Sequence, residues 1–295
     1  MQHFIGLDIG GTSLKAVVVG ADNGIREKSI MPLDIALPAW PGFVRDHLAD
    51  LERRHGTAEQ LGVAAPGIAR PDGRSIWWMQ GRLSELEDLD WTTFLGRGVT
   101  VPVLNDAQAA LVGEAWLGAA AGQKNVVLLT LGTGVGGAAM VDGHLLKGAV
   151  GRAGHMGHIS LDSGGPPDIT NCPGSLEHAI GNCSIAERTG GGFRSTLELA
   201  AAAIRAEPVA VAQWSKSIRA LAAGIASIIN VLDPETVVIG GGVAAAGDAL
   251  FIPLAAELDR CEWRPHGHRV KVVAAALGEY AGAIGAARNA MCNFR

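Results

Sequence analysis

Three glycine-rich turns could bring backbone N–H groups close to the phosphates and the base of a nucleotide. They are Gly10-Gly11-Thr12, Gly132-Thr133-Gly134 and Gly240-Gly241-Gly242. Glycine suits this task because it has no Cβ to block close approach, and threonine adds a hydroxyl that can bind phosphate oxygens. In this interpretation the third turn flanks a flat adenine ring. Each turn alone is also compatible with an ordinary tight turn between two strands.

Two charged residues accompany the first turn. Asp8 could order a magnesium shell, directly or through water, because Mg²⁺ prefers one or two carboxylates together with waters and phosphate oxygens. Lys15 could add positive charge beside the phosphates, or it could be a solvent-exposed strand residue without that role. Asp8 is therefore the predicted metal-binding residue of the chain.

A candidate general base lies near the middle of the chain. Asn105 and Asp106 follow the predicted strand 101–104 and open an alanine-rich helix. Ligands of α/β sheets bind outside the carboxyl ends of the strands, and a carboxylate there could accept a proton from a substrate hydroxyl. The alternative is that Asp106 caps the helix, which is a frequent role of aspartate at such a position. The two roles are compatible.

A dinucleotide-binding fold is the weaker interpretation of these glycines. The segment 132–137 matches GxGxxG, but the residues after it indicate a strand and a turn instead of the required helix. The segment 240–245 does follow a strand and open a helix, but it lies too near the C-terminus for a full dinucleotide domain. No P-loop motif occurs. A nicotinamide-dependent oxidoreductase is therefore the least favoured class.

The elements that must position these residues alternate between strands and helices, which indicates an α/β chain. Strands are predicted at 4–9, 16–19, 101–104, 126–131, 236–239 and 270–275. The clearest helix covers 217–232, where apolar residues recur at three- and four-residue intervals until Asp233-Pro234 ends it.

An internal repeat sets residues 8–19 over residues 130–141. Both segments have the pattern of a strand, a turn rich in glycine and threonine, and a second strand. We expect two related domains that each present a glycine turn to a shared cleft. The alternative is chance similarity between two glycine turns.

Composition limits the classes of protein that the chain can represent. Its 295 residues suffice for one large core or two ordinary ones, and its net charge of −5 comes without a block of like charges. Binding to nucleic acid or to an anionic membrane is therefore not expected. The N-terminus lacks a signal-peptide pattern and no apolar run has the length of a membrane span. The four cysteines form no CxxC pair, which indicates reduced thiols and a cytoplasmic protein.

In their order along the chain, the motifs resemble those of the ROK family of sugar kinases. The segments that carry the resemblance are 8–12, 65–67, 101–106, 131–137, 151–158, 174–177, 233–235, 239–243 and 282–286. The resemblance implies an α/β fold of the duplicated actin/hexokinase-like (ribonuclease H-like) type, with two domains and an interdomain cleft. We predict a small domain at 1–104 plus 279–295 and a large domain at 105–278.

The resemblance also implies phosphoryl transfer from ATP, with Mg²⁺, to a sugar hydroxyl, usually the 6-hydroxyl of a hexose or an amino sugar. Asp106 matches the general base of the family. The positions expected to bind the sugar are Gly67, Asn105, Asp106, His155, His158 and Glu177. The positions expected to bind the nucleotide and its metal are Asp8, Gly10, Gly11, Thr12, Lys15, Gly132, Thr133, Gly134, Gly241 and Gly242. A homodimer is the family expectation.

One departure from the family concerns zinc. Members commonly complete a Cys₃His zinc site with three cysteines after the histidine that matches His158. Those positions hold Asp168, Thr170 and Ser175 here, and Cys172 matches none of them. Because one thiol cannot complete a closed tetrahedral site, we expect no stoichiometric zinc. We expect Ser175 instead to cap a helix that begins near residue 176.

Two further departures concern the sugar. His155 stands where the family usually has a glutamate, and histidine can donate as well as accept but carries no fixed negative charge. We predict a preference for an N-acyl or epimeric sugar, the alternative being that the exchange changes little. Trp77 or Trp78 could stack on a sugar face or pack in the core.

Two other functions remain as alternatives within the same family. A sugar-responsive repressor would carry a DNA-binding domain before the first glycine motif, and only seven residues precede Asp8. A non-catalytic sugar-binding or regulatory protein would not need Asp106 and both phosphate turns. A sugar kinase is therefore the preferred prediction.

Overall fold

The structure is a computed structural model that describes residues 2–34, 39–79 and 83–293. Its internal contacts divide the chain into two compact units. Unit 1 contains residues 1–122, 147–153 and 276–295, and unit 2 contains residues 123–146 and 154–275.

Unit 1 is a mixed sheet with helices packed on it. Its strands are β1 (His3–Ile9), β2 (Ser13–Gly20), β3 (Ile25–Pro32), β4 (Gln60–Ala65), β5 (Ile68–Ala69), β6 (Ile76–Trp78) and β7 (Val103–Asn105). Its helices are α1 (Trp40–His55), α2 (Trp91–Phe94), α3 (Asp106–Leu117) and the C-terminal helix of the chain, Ala281–Asn293. The main sheet has the order β3-β2-β1-β4-β7, and β5 and β6 form a separate two-stranded sheet.

Unit 2 repeats this plan with a larger helical layer. Its strands are β8 (Val126–Leu131), β9 (Val135–Val141), β10 (His144–Leu145), β11 (Thr236–Gly240) and β12 (Lys271–Ala274). Its helices are α4 (Leu176–Ile180), α5 (Ile185–Thr189), α6 (Thr196–Ile204), α7 (Pro208–Leu232) and α8 (Asp248–Cys261), so the C-terminal helix is α9. The sheet order is β10-β9-β8-β11-β12.

The two sheets have the same topology. In each, an antiparallel hairpin encloses a glycine turn, a further antiparallel strand extends one side, and two parallel strands extend the other. The hairpins are β1–β2 and β8–β9, the two segments that the sequence repeat aligns. The prediction of two related α/β domains is therefore confirmed.

The predicted strands and the clearest helix are present, with shifted boundaries. Strand β7 begins at Val103 and extends one residue beyond its predicted end, to Asn105. Helix α7 begins at Pro208, well before the predicted start at 217, since proline fits the first turn of a helix. It ends at Leu232, as predicted, because Asp233 adopts a left-handed backbone conformation with φ of 44°.

Within the described residues, α7 has the length and mean hydropathy of a membrane span, although the sequence showed no apolar run of that length. Half of its most apolar window is buried inside the protein. Ile218, Leu221 and Ile225 pack in the core of unit 2. A buried core helix meets the same criteria of length and composition, so these criteria alone are weak evidence for a membrane.

The division into units differs from the predicted domains at residues 105–122, 147–153 and 276–278, which all lie in unit 1. The first two of these regions are the larger ones. Helix α3 lies in unit 1 because it packs closely on α9, where a Cβ on Gly285 would overlap the carbonyl oxygen of Ala109. The segment 147–153 also lies in unit 1, and the indole nitrogen of Trp77 donates to the carbonyl of Val150 at 3.0 Å. The sequence predicts all three regions in the large domain.

Candidate active site

The first glycine turn lies beside a cluster of charges in unit 1. Asp8 on β1 faces Lys15 on β2 across the hairpin. Burial raises the pKa of Asp8 to about 7, against the opposing effect of the Lys15 charge, and the negative charge of Asp106 raises it further. Lys15 is half-buried, so it is not the exposed strand residue of the alternative interpretation. Two carboxylates and one ammonium group therefore interact here.

Asn105, not Asp106, caps helix α3. Asn105 Oδ1 accepts from the N–H groups of Ala107 (3.0 Å) and Gln108 (3.3 Å), and Gln108 Oε1 accepts from the N–H of Asn105 (3.4 Å). Asp106 is the first helical residue, is exposed, and accepts from the N–H of Ala107 at 2.8 Å. The interpretation of Asp106 as the N-cap is therefore wrong, because the strand continues one residue further than predicted.

Two predicted sugar-binding residues of unit 1 are neighbours. Asn105 Nδ2 donates to the carbonyl oxygen of Gly67 at 2.8 Å. Gly67 has a φ of 101°, and a Cβ on it would overlap the side chain of Ile76 and the backbone of Trp78. The Asn105 side chain thus connects the start of α3 to the turn after β4 by a hydrogen bond. Trp78 is 41% exposed, so core packing does not account for it.

Five of the seven glycines of the three turns fall into two groups, and Gly10 and Gly240 lie between them, with tight contacts at 3.1 and 3.3 Å. A Cβ on Gly132 or Gly242 would meet no described atom within 4 Å, and one on Gly11 would make only ordinary contacts. A Cβ on Gly134 would overlap the carboxylate of Glu177, and one on Gly241, where φ is 82°, would overlap the backbone of Leu131. Packing within the described residues therefore requires glycine at 134 and 241, but it does not require glycine at 11, 132 and 242.

The rest of the first turn is shaped by its backbone. Gly10 N donates to the carbonyl oxygen of Ser13 at 2.8 Å, and the carbonyl oxygen of Thr12 accepts from the N–H of Leu33 at 3.0 Å. The Thr12 side chain is exposed. Its hydroxyl is thus placed at the surface of the turn that follows Asp8.

The second turn is held by the segment that follows α4. The N–H groups of Asn182 and Cys183 donate to the carbonyl oxygens of Gly132 (3.0 Å) and Thr133 (2.7 Å). Glu177, which is buried, accepts from the N–H of Val135 through Oε2 at 2.9 Å. A predicted phosphate-binding turn and a predicted sugar-binding carboxylate are thus joined within unit 2.

His158 lies in the same unit, paired with a carboxylate. Its Nδ1 is 2.8 Å from Oδ2 of Asp168. Ligand atoms of His158, Asp168 and Glu177 all lie within 4.8 Å of one another. His155, which is half-buried, directly precedes the short 3₁₀ turn Met156–His158. Ser175 caps α4 through a hydrogen bond from the N–H of His178 at 3.1 Å, which confirms that prediction.

Asp168 is the polar residue of this region that sequence reasoning missed as a site residue. From the sequence, Asp168 is notable only because it occupies a position where the family commonly has a zinc-binding cysteine. The available signal was its spacing, because an aspartate two residues before a threonine can bond to that residue's N–H and hydroxyl. Asp168 makes both bonds, each at 2.8 Å.

Comparison with known proteins agrees with the fold and identifies the family. The model of the ROK family matches residues 4–291. A glucokinase of Thermotoga maritima is 31% identical, covering 96% of this chain and 95% of the relative. An N-acetylmannosamine kinase of Escherichia coli is 33% identical, covering 96% of each chain. A ROK glucokinase of Streptomyces griseus, solved with glucose and AMPPNP, is 25% identical with a TM-score of 0.78, covering 98% of this chain and 99% of that one. The chain therefore belongs to the ROK family and has its duplicated actin/hexokinase-like α/β fold.

Proposed function

We propose that this sugar kinase transfers the γ-phosphoryl group of ATP to the 6-hydroxyl of a hexose or an N-acylhexosamine, with Asp106 as the general base. The observation that carries the proposal is the charge cluster of unit 1. There Asp106, Asp8 and Lys15 interact beside the first glycine turn. The relatives named as glucokinase and N-acetylmannosamine kinase support the reaction class.

The nucleotide would be held by the glycine turns. ATP supplies the phosphoryl group when it is bound. Gly11 and Thr12 in unit 1, and Thr133 and Gly134 in unit 2, would donate backbone N–H and hydroxyl groups to its phosphates. Gly10 and Gly132 would let the phosphates approach, while their own N–H groups donate to the carbonyl oxygens of Ser13 and Gly134 within the turns. Gly241 and Gly242 would flank the adenine. The space for a Cβ at Gly11, Gly132 and Gly242 supports this assignment, because a ligand close to the backbone explains glycine there when packing does not.

Asp8 would hold Mg²⁺, directly or through water. Its carboxylate is buried beside the second negative charge of Asp106, which is why its pKa rises to about 7. A divalent cation favours the ionised form of nearby carboxylates, so these residues fit the metal. Lys15 would add a second positive charge to the same cluster.

Asp106 would take up the proton of the attacking hydroxyl and orient that hydroxyl. Its position on the first turn of α3 suits this role, since the N-terminal end of a helix stabilises a carboxylate. Phosphoryl transfer depends on positioning and charge stabilisation more than on covalent help. His155, His158 and Glu177 in unit 2, with Gly67 and Asn105 in unit 1, would bind the sugar hydroxyls.

A coupled ADP-release screen over hexoses and N-acylhexosamines tests the proposal, with ATP and inorganic polyphosphate as alternative donors. Asp106→Asn should lower kcat by about 10²–10⁴-fold, the usual contribution of general-base catalysis. Asp248→Asn is the matched control, because Asp248 is also the exposed first residue of a helix, α8. A loss below tenfold in Asp106→Asn would refute the base assignment. Sugar binding without turnover with either donor would favour the non-catalytic alternative.

We further propose a homodimer in the cytoplasm. The four cysteines, all within the described part of the chain, are unpaired, which agrees with a reducing compartment. Light scattering after size-exclusion chromatography gives the mass in solution. A mass equal to one chain of 30.4 kDa at micromolar concentration would contradict the dimer.

A further inference from the structure

The segment from His158 to Ser175 in unit 2 folds around one carboxylate, that of Asp168. Oδ2 of Asp168 lies 2.8 Å from His158 Nδ1, and Oδ1 accepts from the N–H and the hydroxyl of Thr170 and from the N–H of Cys172 at 3.0 Å. The Ser175 hydroxyl adds a further hydrogen bond. The Asp168 side chain is only 3% exposed, so polar groups enclose it almost completely.

This arrangement fixes the ionisation of Asp168 and the proton on His158. Burial acts to raise the pKa of Asp168, but the hydrogen bonds from His158, Thr170 and Ser175 outweigh it and hold the pKa below its ordinary value. An ionised carboxylate can only accept, so the proton between the two side chains belongs to His158 Nδ1. The imidazole is thereby held in one orientation, which leaves Nε2 as the ring nitrogen for a sugar hydroxyl.

Two backbone hydrogen bonds join the two ends of the segment. The N–H of Leu161 donates to the carbonyl oxygen of Gly174 at 2.9 Å, and the N–H of Leu176 donates to that of Ile159 at 3.0 Å. Ser175 then begins α4, which carries Glu177. Asp168 therefore contacts the residues at both ends of a loop that presents His158 and Glu177.

Zinc does not fit these residues. The positions that the family fills with cysteine are here the centre of the cluster, Asp168, and two of its donors, Thr170 and Ser175. Cys172 donates its S–H to the carbonyl oxygen of His158 at 2.9 Å, and burial raises the pKa of its thiol, whereas zinc binds a thiolate. A cation near His158, Asp168 and Glu177 would have to displace the hydrogen bonds that the two carboxylates already accept.

We propose that Asp168 is a positioning residue, whose carboxylate closes the segment 158–175 without a metal and orients His158 toward the sugar. The sugar part of this inference rests on the proposed function. Loss of the Asp168 charge should loosen His158 while leaving the glycine turns intact. The KM for the sugar should therefore rise about tenfold, as expected for one lost hydrogen bond to a charged group, with little change in the KM for ATP.

The test compares Asp168→Asn with Asp162→Asn in the full chain. Asp162 is a matched control, because it lies in the same segment and its Oδ1 also accepts a backbone N–H two residues on, that of Gly164 at 2.9 Å, but it is exposed. Only Asp168→Asn should raise the sugar KM. Equal increases in the KM for sugar and for ATP, or the same effect in both variants, would overturn the positioning role.

Two readouts do not depend on turnover and so separate this inference from the proposed function. Nitrogen NMR of the histidines should show the His158 proton on Nδ1 in the wild type, and a smaller share of that tautomer in Asp168→Asn, whose amide oxygen is a weaker acceptor than a carboxylate. Metal analysis after incubation with Zn²⁺ and desalting should give far less than one zinc per chain. Stoichiometric zinc that Asp168→Asn abolishes would show a metal site and refute the proposal. If Asp168→Asn does not fold, Thr170→Val removes one donor and should give a smaller increase in the sugar KM.

Discussion

The two glycine hairpins have the same topology but different chemistry. In unit 1, Asp8 faces Lys15 across β1 and β2, whereas in unit 2 the residue aligned with Asp8 is Thr130, which faces Gly136. The charge beside the second turn comes from outside the hairpin, from Glu177 on α4. Duplication has therefore kept the backbone that places each turn, while the side chains around the turns have diverged.

The backbone of the two hairpins and the charges beside them are under different physical constraints. The pairing of two strands depends on the alternation of their apolar side chains and not on the identity of the exposed ones. A substitution that keeps this alternation therefore leaves the hairpin and its turn in place. A buried charge survives only where a partner or a function compensates for its desolvation. The Lys15 charge offsets only part of the cost of burying Asp8, whose pKa stays raised, so the remainder is the part that the proposed metal would offset. Thr130 needs no such partner.

The strongest expected contrast lies between the carboxylates of the two units. Asp106→Asn should lower kcat by about 10²–10⁴-fold, because it removes the proton acceptor. Glu177→Gln should instead raise the KM for the sugar with a smaller effect on kcat, because Glu177 is proposed to bind hydroxyls. Steady-state kinetics of both variants measure this contrast. A larger loss of kcat in Glu177→Gln than in Asp106→Asn would reverse the assignment.

The pH dependence of stability should be specific to the first hairpin. Because the pKa of Asp8 is raised from 3.8 to about 7, its protonated form is favoured in the folded protein. The associated stabilisation is present below about pH 4 and is lost as the pH rises to about 7. In metal-free buffer at pH 8, Asp8→Asn should therefore be more stable than the wild type by about 2 kcal/mol, a figure reduced because the residue as a whole is only half-buried.

Chemical denaturation at several pH values measures this effect, and Thr130→Val is the matched control at the aligned position of the second hairpin. Addition of Mg²⁺ with ATP at pH 8 should raise the Tm of the wild type more than that of Asp8→Asn. An equal increase in both proteins would contradict the metal role of Asp8.

A smaller effect should distinguish the two glycines of the second turn. Gly132→Ala places a Cβ in open space, so the Tm should hardly change while the KM for ATP rises about tenfold through the loss of close phosphate approach. Gly134→Ala places its Cβ against the Glu177 carboxylate, so the protein should lose about 1–3 kcal/mol of stability as that side chain is displaced. Thermal unfolding and ATP titration of the two variants separate the roles. A normal KM for ATP in Gly132→Ala would remove the phosphate assignment.

The sequence predicted the elements whose structure depends on residues close together in the chain. The runs of apolar residues predicted the strands that form the two sheets, and the glycine turns predicted the hairpins, because both depend on neighbours along the chain. The N-cap of α3 was misassigned because Asn105 and Asp106 are equally good capping residues. Only the end of β7 decides between them.

Contacts between distant residues could not be read from the sequence. The hydrogen bond from Trp77 to Val150 places the segment 147–153 in unit 1, although the residues on both sides of it belong to unit 2. The role of Asp168 was equally hidden, since the sequence shows only that a cysteine is missing there. Its partners His158 and Ser175 become visible as donors only when the loop is folded.

The smallest predicted effect concerns sugar choice at His155. Both a glucokinase and an N-acetylmannosamine kinase resemble the chain to a similar degree, so overall identity does not separate the two substrates. A glutamate at this position would only accept hydrogen bonds, whereas histidine can also donate to an acyl oxygen. His155→Glu should therefore shift the ratio of kcat/KM between N-acetylmannosamine and glucose toward glucose by a few-fold to about tenfold. Asp162→Asn serves again as the surface control. An unchanged order of preference across the hexose panel would show that residues other than His155 set the choice of sugar. His158, which we propose Asp168 to position, would then be the first residue of unit 2 to substitute.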